Sequence, residues 1–317
     1  MILIVCGDPN SVNSEIIFKV WKKINLKTKK DIFLIGSYEL LKAQFSKLKY
    51  KIKISKANFQ NKGDFSSLKI IDIPLIFKNP FRVEDKYASK YVMNCLNKAH
   101  LLTKHKNFKG IINCPIDKKL LSTTKNIGVT EYLAKKCKIK DNSEVMMIYN
   151  KKVSVVPLTT HIKIKDVAKK IKKKLIVKKV FTLNNKFKVF FKKKPRICAL
   201  GLNPHNNEYV FNSEEVKEII PAIKTLKKRG VSIYGPKSAD TIFVKEYKNF
   251  DVILGMYHDQ VLSPFKSLFH FDAINITLGL NYIRVSPDHG PALNLIGKNS
   301  ANYISLLNCI RFIIRNR

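Results

Sequence analysis

The stretch that decides the fold is residues 1–24, MILIVCGDPNSVNSEIIFKVWKKI. It starts with an apolar run from Ile2 to Cys6, which has the length of a buried strand. A polar turn follows, and Asn13 or Ser14 can cap a helix that continues to Ile24. A strand that leads into a helix is the repeating unit of α/β proteins, so this stretch predicts that class.

The same alternation of short apolar runs and longer amphipathic stretches continues along the chain and predicts an α/β fold throughout. The predicted strands are Ile2 to Cys6, Ile32 to Ile35, Gly110 to Cys114, Val153 to Leu158, Ile197 to Leu202 and Val252 to Met256. The predicted helices are Asn13 to Ile24, Lys86 to Leu102, Thr130 to Cys137, Ile164 to Leu175, Ser213 to Lys228 and Asn302 to Ile313. The basic stretch from Lys163 to Lys194 keeps apolar residues at helical spacing, so we expect solvated helix surface there.

Length and composition are those of a packed globular protein. With 317 residues, 45% of them hydrophobic, the chain is long enough for two domains. No apolar run approaches the roughly 20 residues that span a bilayer. The first residues have no basic leader and no small-residue cleavage site, so we expect a soluble, cytoplasmic protein. Its six cysteines include no C-x-x-C pair, which predicts buried thiols rather than disulfides or a zinc knuckle.

The net charge is the most unusual bulk feature, because 60 Lys and Arg against 23 Asp and Glu give +37 at pH 7. A charge of this size suits a polyanion partner, so a nucleic-acid-binding protein is one alternative function. The lysines are, however, spread along the whole chain, and no reader module or interleaved aromatic motif accompanies them. We therefore expect a general compositional bias and no specific nucleic-acid partner.

Three of the seven histidines, His161, His205 and His258, each follow the end of an apolar run. In open α/β sheets the carboxyl ends of strands border the ligand crevice, so the three imidazoles can converge there as a metal site. Three imidazole nitrogens suit zinc or cobalt and fit magnesium less well. The alternative for each histidine is an ordinary residue at a strand end. Asp259 can orient the imidazole of His258, or it can point away from it.

A second group of residues, Lys266, Asn275 and Arg284, follows His258 within one stretch. A lysine, an amide and an arginine suit a substrate that carries phosphate or carboxylate, because Arg binds such groups bidentately. No G-x-G-x-x-G follows a predicted strand, so a Rossmann nucleotide site is not supported.

Nine segments in this order resemble the 4-hydroxythreonine-4-phosphate dehydrogenase family, from Gly7 to about Asn302. They are Gly7-Asp8-Pro9 with Glu15, Cys114-Pro115-Ile116-Asp117-Lys118, Gly128-Val129-Thr130-Glu131, Thr159-Thr160-His161, Gly201-Leu202-Asn203-Pro204-His205, Gly235-Pro236 with Ala239-Asp240-Thr241, Met256-Tyr257-His258-Asp259-Gln260, Asn275-Ile276-Thr277-Leu278-Gly279-Leu280, and Asp288-His289-Gly290. Each segment is a weak signal alone, and the set in order is a strong one.

The resemblance implies an isocitrate/isopropylmalate dehydrogenase-like α/β fold with two α/β/α lobes around a central cleft. The first lobe would comprise residues 1–128 and 285–317, with a cofactor-binding loop. The second would comprise residues 129–284, with the metal ligands and the substrate and dimer contacts. The resemblance also implies a homodimer whose active site takes residues from both subunits.

The resemblance assigns roles to individual residues. His161, His205 and His258 would be the metal ligands, with His258 donated across the dimer interface. The substrate contacts would be Thr130, Lys266, Asn275 and Arg284. The segment from Asp288 to Asn299 would help to bind the nicotinamide cofactor, through residues that include Asp288, Gly290 and Asn294.

The implied activity is the oxidation, with decarboxylation, of 4-phosphohydroxy-L-threonine to 3-amino-2-oxopropyl phosphate in pyridoxal 5'-phosphate biosynthesis. It would need NAD or NADP and a divalent metal, with zinc favoured over cobalt or magnesium. Such a metal lowers the pKa of the substrate hydroxyl. The candidates for the general base are Asp240 and Lys266.

The sequence also departs from the family pattern. Val129 stands where the family usually has His, Asn10 to Asn13 replace a glycine-rich Ala-Gly-Ile-Gly, Pro291 replaces Thr and Asn294 replaces Asp. Two further alternatives follow from these departures: a divergent paralogue that oxidises another phosphorylated hydroxy acid, and a catalytically impaired relative that keeps the metal and the fold.

Overall fold

The structure is a computed structural model that describes residues 1–57, 66–124, 128–139, 142–270 and 272–316. Its strands are β1 Ile2–Val5, β2 Ile32–Gly36, β3 Ile54–Lys56, β4 Leu68–Asp72, β5 Gly110–Asn113, β6 Val145–Tyr149, β7 Ser154–Pro157, β8 Ile197–Leu200, β9 Ile233–Lys237, β10 Val252–Gly255, β11 Ile274–Leu278 and β12 Ile283–Pro287. Its α-helices are α1 Asn13–Lys23, α2 Leu26–Asp31, α3 Tyr38–Lys47, α4 Asp85–Leu102, α5 Val129–Lys136, α6 Val167–Lys170, α7 Lys173–Phe191, α8 Ile220–Lys228, α9 Ala239–Ile242, α10 His258–Phe269 and α11 Ile304–Arg315.

The chain forms two compact units. Unit 1 comprises Met1–Lys136 and Asn281–Arg317, and unit 2 comprises Cys137–Leu280. Thr130 and Arg284 therefore lie in unit 1, whereas the division expected at 128/129 and 284/285 placed both in the second lobe. The functions expected of the two lobes remain predictions.

Unit 1 is built on a parallel sheet with the strand order β3-β4-β2-β1-β5-β12. Strands β1, β2 and β5 are buried along their whole length, which explains why each is a continuous apolar run rather than an alternating one. Helix α1 buries Ile16, Ile17, Val20 and Trp21, and it packs against α11 and α3. Its first turn carries Glu15 and its last turn two lysines, as the helix dipole favours.

Unit 2 is built on a mixed sheet with the order β11-β6-β7-β10-β8-β9. Strand β6 is antiparallel to both of its neighbours, whereas β7, β10, β8 and β9 run parallel. Helix α10 packs against β7 and β10, and its Phe265 belongs to a core that includes Val155 and Ile253. This packing fixes the start of α10 beside the carboxyl end of β7.

All six predicted strands are confirmed, with ends that differ by at most two residues. The predicted helices α1, α4, α5 and α11 are confirmed within two residues at each end. The expected helical surface between Lys163 and Lys194 is also confirmed, because most of this stretch forms α7.

The continuous helix predicted from Ile164 to Leu175 is wrong. A short 3-10 turn and α6 end at Lys170, and the next residue, Ile171, is extended and fully buried. A new helix, α7, then begins at Lys173, whose backbone N–H donates to the Glu218 carboxylate at 2.7 Å. The burial of Ile171 and this capping carboxylate together break the helical pattern that the spacing of apolar residues indicated.

The helix predicted from Ser213 to Lys228 is regular only in its second half. Residues Glu215–Ile219 form a π-helical turn that continues into α8. Pro221 has no backbone N–H for a ladder hydrogen bond, and the buried carboxylate of Glu215 turns back to bind residues 202 and 203. Both features explain why the first turns, before α8, are not regular α-helix.

All six cysteines are free thiols, and five of them are buried, which confirms the expectation for this residue type. Burial raises the pKa of Cys6 to about 12. Across the part of the chain that the structure describes, no helix has the length and apolar content needed to cross a bilayer.

Candidate functional site

The three strand-end histidines follow three neighbouring strands of unit 2. Strand β10 pairs in parallel with β7 on one side and with β8 on the other. His161 follows β7, His205 follows β8, and His258 is the first residue of α10, which starts just after β10. Because the carboxyl ends of parallel strands lie at one edge of the sheet, all three residues belong to the same edge.

Two of these histidines lie side by side. The ring centroids of His161 and His258 are 5.7 Å apart. Thr159 holds the two segments together, because its backbone N–H and its hydroxyl both donate to the Met256 carbonyl, at 3.2 and 2.8 Å. A cavity of about 320 Å³ opens beside the rings. At this separation two imidazole nitrogens can bind one ion with bonds of about 2 Å.

Asp259 orients the ring of His258. The Nδ1 atom of His258 lies 2.6 Å from the Oδ1 atom of Asp259, which resolves the choice that the sequence left open. A carboxylate at Nδ1 favours the tautomer whose Nε2 lone pair faces outward. The hydrogen bond between His258 and Asp259 is therefore one that metal-binding histidines commonly make through the ring nitrogen that does not bind the metal.

His205 is not part of this pair. Residues 205–209 all have positive φ angles, so His205 begins a left-handed turn and its side chain is exposed. Within the described residues, no group of three or more His, Cys, Asp or Glu is placed to hold a metal ion. Within a single chain only two of the three imidazoles lie together, and the gathering of all three around one ion stays a prediction. His258 already lies beside His161 of the same chain, so this pair needs no partner subunit to form.

The left-handed turn is anchored by Glu215, which sequence reasoning missed. Its Oε1 atom accepts hydrogen bonds from the backbone N–H groups of Leu202 and Asn203, at 2.8 and 2.9 Å. Burial opposes ionisation of Glu215, but the hydrogen bonds from Asn203 and Leu202 outweigh it and lower its pKa. A Cβ at Gly201 would collide with the side-chain oxygen of Asn206, so any other residue there would displace Asn206. A carboxylate 13 residues after Leu202 carries no sequence signal of this role.

Gln260 connects the ends of β10 and β8. Its Oε1 atom accepts from the Met256 backbone N–H at 2.6 Å, and its Nε2 donates to the Gly201 carbonyl at 2.8 Å. The residue belongs to the segment 256–260 that the resemblance rests on, although no role had been predicted for it. Its amide keeps the segments that carry His258 and His205 in register.

The other predicted residues of unit 2 are spread over three elements. Lys266 is half-buried in α10, two helical turns or about 12 Å along the axis from His258. Asn275 lies in β11, and its buried Oδ1 atom has no hydrogen-bond partner among the described residues. Asp240 is exposed in α9, which contacts the turn that carries His205.

In unit 1, Arg284 and Thr130 are in direct contact. The Nη1 atom of Arg284 donates to the Thr130 hydroxyl at 3.2 Å, and its Nε donates to the Asn113 Oδ1 atom at 2.7 Å. Arg284 is only 3% exposed, and burial lowers its pKa to about 10 while the charge of Glu131 acts in the opposite direction. Asn113 was missed because nothing in the sequence pairs it with a residue 171 positions away.

The predicted cofactor residues follow β12. Asp288 is buried and its backbone N–H donates to the Ser305 hydroxyl at 3.1 Å, whereas Gly290 and Asn294 are exposed. The Pro291 carbonyl accepts from the Val12 backbone N–H at 3.2 Å, so this segment lies against the first strand-to-helix turn.

The fold of the chain belongs to the isocitrate dehydrogenase-like α/β class. A solved structure of isocitrate dehydrogenase from Methylococcus capsulatus matches with a TM-score of 0.51 at 9% identity, covering 99% of this chain and 84% of that one. This likeness concerns the fold alone, and it confirms the predicted fold class. A solved structure of 4-hydroxythreonine-4-phosphate dehydrogenase from Klebsiella pneumoniae matches with a TM-score of 0.83 at 26% identity, covering 100% and 99% of the two chains.

The chain belongs to the family of the pyridoxal phosphate biosynthetic protein PdxA, whose model matches residues 28–313. Two relatives are named 4-hydroxythreonine-4-phosphate dehydrogenase. The one from Aquifex aeolicus is 38% identical and covers 98% of this chain and 96% of its own length. The one from Sulfurihydrogenibium sp. is 36% identical with the same coverage. The dehydrogenase family implies a nicotinamide cofactor and a divalent metal.

Proposed function

We propose that this chain is a 4-hydroxythreonine-4-phosphate dehydrogenase of pyridoxal 5'-phosphate biosynthesis. It oxidises and decarboxylates 4-phosphohydroxy-L-threonine to 3-amino-2-oxopropyl phosphate, with NAD or NADP as hydride acceptor. The observation that carries the proposal is the His161–His258 pair at the carboxyl edge of the sheet, in a chain that belongs to the PdxA family.

The proposed metal is zinc, with His161, His205 and His258 as ligands. Neutral imidazoles suit zinc, and the orientation of His258 by Asp259 supports this choice. When bound, the ion supplies a Lewis acid that acidifies the substrate hydroxyl. One chain brings together only two of the three imidazoles, so the third ligand would join them in a homodimer. We also propose that this homodimer is cytoplasmic.

The remaining predicted residues have roles that match their chemistry. Arg284 is a buried guanidinium held by Asn113 and Thr130, so it offers a pre-oriented cation to a phosphate or carboxylate group. Where Asp240 is the base, Lys266 supplies a second cation, and Asn275 has a buried amide oxygen available for a donor on the substrate. Either Asp240 or Lys266 takes the proton of the substrate hydroxyl, and a nicotinamide held by Asp288, Gly290 and Asn294 would supply the hydride acceptor. The resulting β-keto acid then loses carbon dioxide.

The nicotinamide cofactor would lie against the segment that contains Asp288, Gly290 and Asn294. Two of these residues are exposed, and the segment is attached to unit 1 through Asp288 and Pro291. An exposed backbone around Gly290 leaves room for close approach of a ligand, since no atom lies within 4 Å of a Cβ built there.

The test compares His161→Ala and His258→Ala with the wild-type chain. Bound zinc and the reduction of NAD+ and of NADP+ by 4-phosphohydroxy-L-threonine are measured, with His270→Ala, an exposed histidine at the end of α10, as control. We expect both site variants to lose metal and turnover while the control keeps them. Unchanged turnover in the site variants would refute the proposal. A wild-type chain that oxidises only a different phosphorylated hydroxy acid would indicate the divergent paralogue.

A further inference from the structure

Unit 2 has a second concave surface that the proposed reaction does not use. A groove of about 690 Å³ lies along α7 and the end of α8. We refer to it as the α7 groove, and the residues that define it are Lys173, Lys174, Val177, Lys178, Phe181 and Arg229. Its volume is within the range of about 300–1,000 Å³ that small-molecule sites occupy.

The charge of the α7 groove has one sign. Four cations contribute to its lining, and none of the lining residues that the structure describes is acidic. Among the described residues, the ammonium groups of Lys173 and Lys174 have no acidic partner. The carboxylate of Glu218 is used by Lys172 and by the backbone N–H of Lys173. Lys173 and Lys174 therefore offer positive charge that no described carboxylate compensates.

The position of the lysines on α7 adds to this imbalance. Lys173 and Lys174 lie in the first helical turn, where the helix dipole is positive, and that turn contains no acidic residue. Cations at this end of a helix are unfavourable and anions are favourable. An anionic ligand bound between α7 and Arg229 would offset the unfavourable interaction of these lysines with the helix dipole.

The groove also has apolar residues that are not among the buried residues of α7. Helix α7 buries Ile176, Val180, Leu183 and Phe187 against the rest of unit 2. Val177 and Phe181 lie one turn apart on the adjacent lysine-bearing face, and Phe181 is 37% exposed. The guanidinium of Arg229 lies 5.9 Å from the Phe181 ring centroid. A flat apolar group can pack on Phe181 while its anionic group contacts Arg229 and the lysines.

We propose that the α7 groove binds a small phosphate monoester that carries an apolar ring. A phosphate monoester has a charge of about −1.5 to −2 at neutral pH, which suits several cations better than a single carboxylate does. The ring satisfies the apolar side formed by Val177 and Phe181. The site is separate from the histidine pair, because the two cavities share no residue.

The test uses phenyl phosphate as the probe and isothermal titration calorimetry as the measurement. The variant Lys174→Gln/Arg229→Gln removes two groove cations. The control Lys224→Gln/Lys227→Gln removes two exposed cations of α8 that do not line the groove. We expect the groove variant to raise the Kd by at least about 10-fold and the control to change it by less than about 2-fold. Dehydrogenase turnover should be unchanged in both, since neither touches the proposed active site.

Two further probes test the ligand chemistry. Inorganic phosphate and phenol should each bind more weakly than the ester, and Phe181→Ala should weaken the ester but not inorganic phosphate. Equal weakening in the groove variant and the control would overturn the proposal in favour of unspecific attraction to a +37 chain. A single-stranded oligonucleotide that displaces phenyl phosphate and binds more tightly would overturn it in favour of a nucleic-acid surface.

Discussion

The Nδ1 atom of His258 lies 2.6 Å from the Oδ1 atom of Asp259, at the first turn of α10. Adjacent residues in an extended segment point apart, so this contact depends on the helix beginning at His258 itself. The contact favours one tautomer of His258 and leaves Nε2 available as a ligand atom for the proposed metal. Asp259 is thus a positioning residue for the proposed metal site.

Replacing Asp259 by Asn should weaken metal binding without unfolding the protein. The carboxylate is 77% exposed, so we expect about a 10-fold loss of zinc affinity, at the lower end of the usual range for such partners. Competition with a chelator measures the affinity, and Glu246→Gln, an exposed carboxylate elsewhere in unit 2, is the matched control. Equal affinities in the wild type and Asp259→Asn would show that the contact does not orient a ligand.

Much of the fold could be predicted from the sequence because its strands are buried. Continuous apolar runs such as Ile2 to Val5 and Val252 to Gly255 mark central strands of parallel sheets. Six strands were missed, namely β3, β4, β6, β9, β11 and β12. In β12 the apolar run is interrupted by Arg284, whose side chain is buried only because Asn113 and Thr130 bind it.

The edge that carries the histidines could also be predicted, but its detail could not. His161 and His258 lie side by side because β7 and β10 are neighbouring strands. The order of strands in a sheet cannot be predicted from local sequence. His205 stays apart because five consecutive residues adopt positive φ angles, a conformation that costs about 1–2 kcal/mol per residue. The tertiary contacts of Glu215 and Gln260 hold the start of this turn in place, and neither contact has a local signature.

Stability should depend on pH through Asp8. Burial raises the pKa of this carboxyl from 3.8 to about 6, although backbone N–H groups of Asn10 and Asp117 act against the shift. The folded state therefore binds the proton more tightly than the unfolded chain, so Asp8 favours folding as pH falls through 6. Relative to Asp8→Asn, the wild type should gain about 2 kcal/mol in unfolding free energy between about pH 8 and about pH 4.5.

Urea denaturation of both chains at the two pH values measures this difference. The comparison with Asp8→Asn cancels the other carboxylates, and Asp31→Asn, at the end of α2, serves as a second reference chain. A constant difference between wild type and Asp8→Asn across this range would contradict the raised pKa.

Replacing Lys19 by Met should destabilise unit 1. Glu15 is 1% exposed, and its Oε1 atom accepts from both Lys19 and the Ala301 backbone N–H at 2.7 Å. Lys19 in turn donates to the carbonyls of Asn299 and Ala301. Without the lysine, the buried carboxylate of Glu15 loses its cation. We expect the free energy of unfolding to fall by about 1–3 kcal/mol, which is less than for a fully buried pair because Lys19 is partly exposed.

Urea denaturation measures the loss for Lys19→Met, and hydrogen exchange reports whether the Ala301 amide becomes less protected. The control is Lys22→Met, which removes an exposed lysine from the same helix and should change stability by less than about 0.5 kcal/mol. If both substitutions have the same effect, Lys19 does not hold the segment that follows the predicted cofactor residues.

Replacing Arg284 by Lys should impair substrate binding more than it impairs folding. Arg284 donates from two nitrogen atoms to Asn113 and Thr130, and a lysine keeps the charge but cannot reproduce this fork. We expect kcat/KM for the phosphorylated substrate to fall on the order of 100-fold, mainly through KM, with a stability loss of about 1–2 kcal/mol. Steady-state kinetics and urea denaturation are compared with Arg311→Lys, an exposed arginine in α11. A stability loss with unchanged kcat/KM would mean that Arg284 only supports the packing of β12 against β5 and does not contact the substrate.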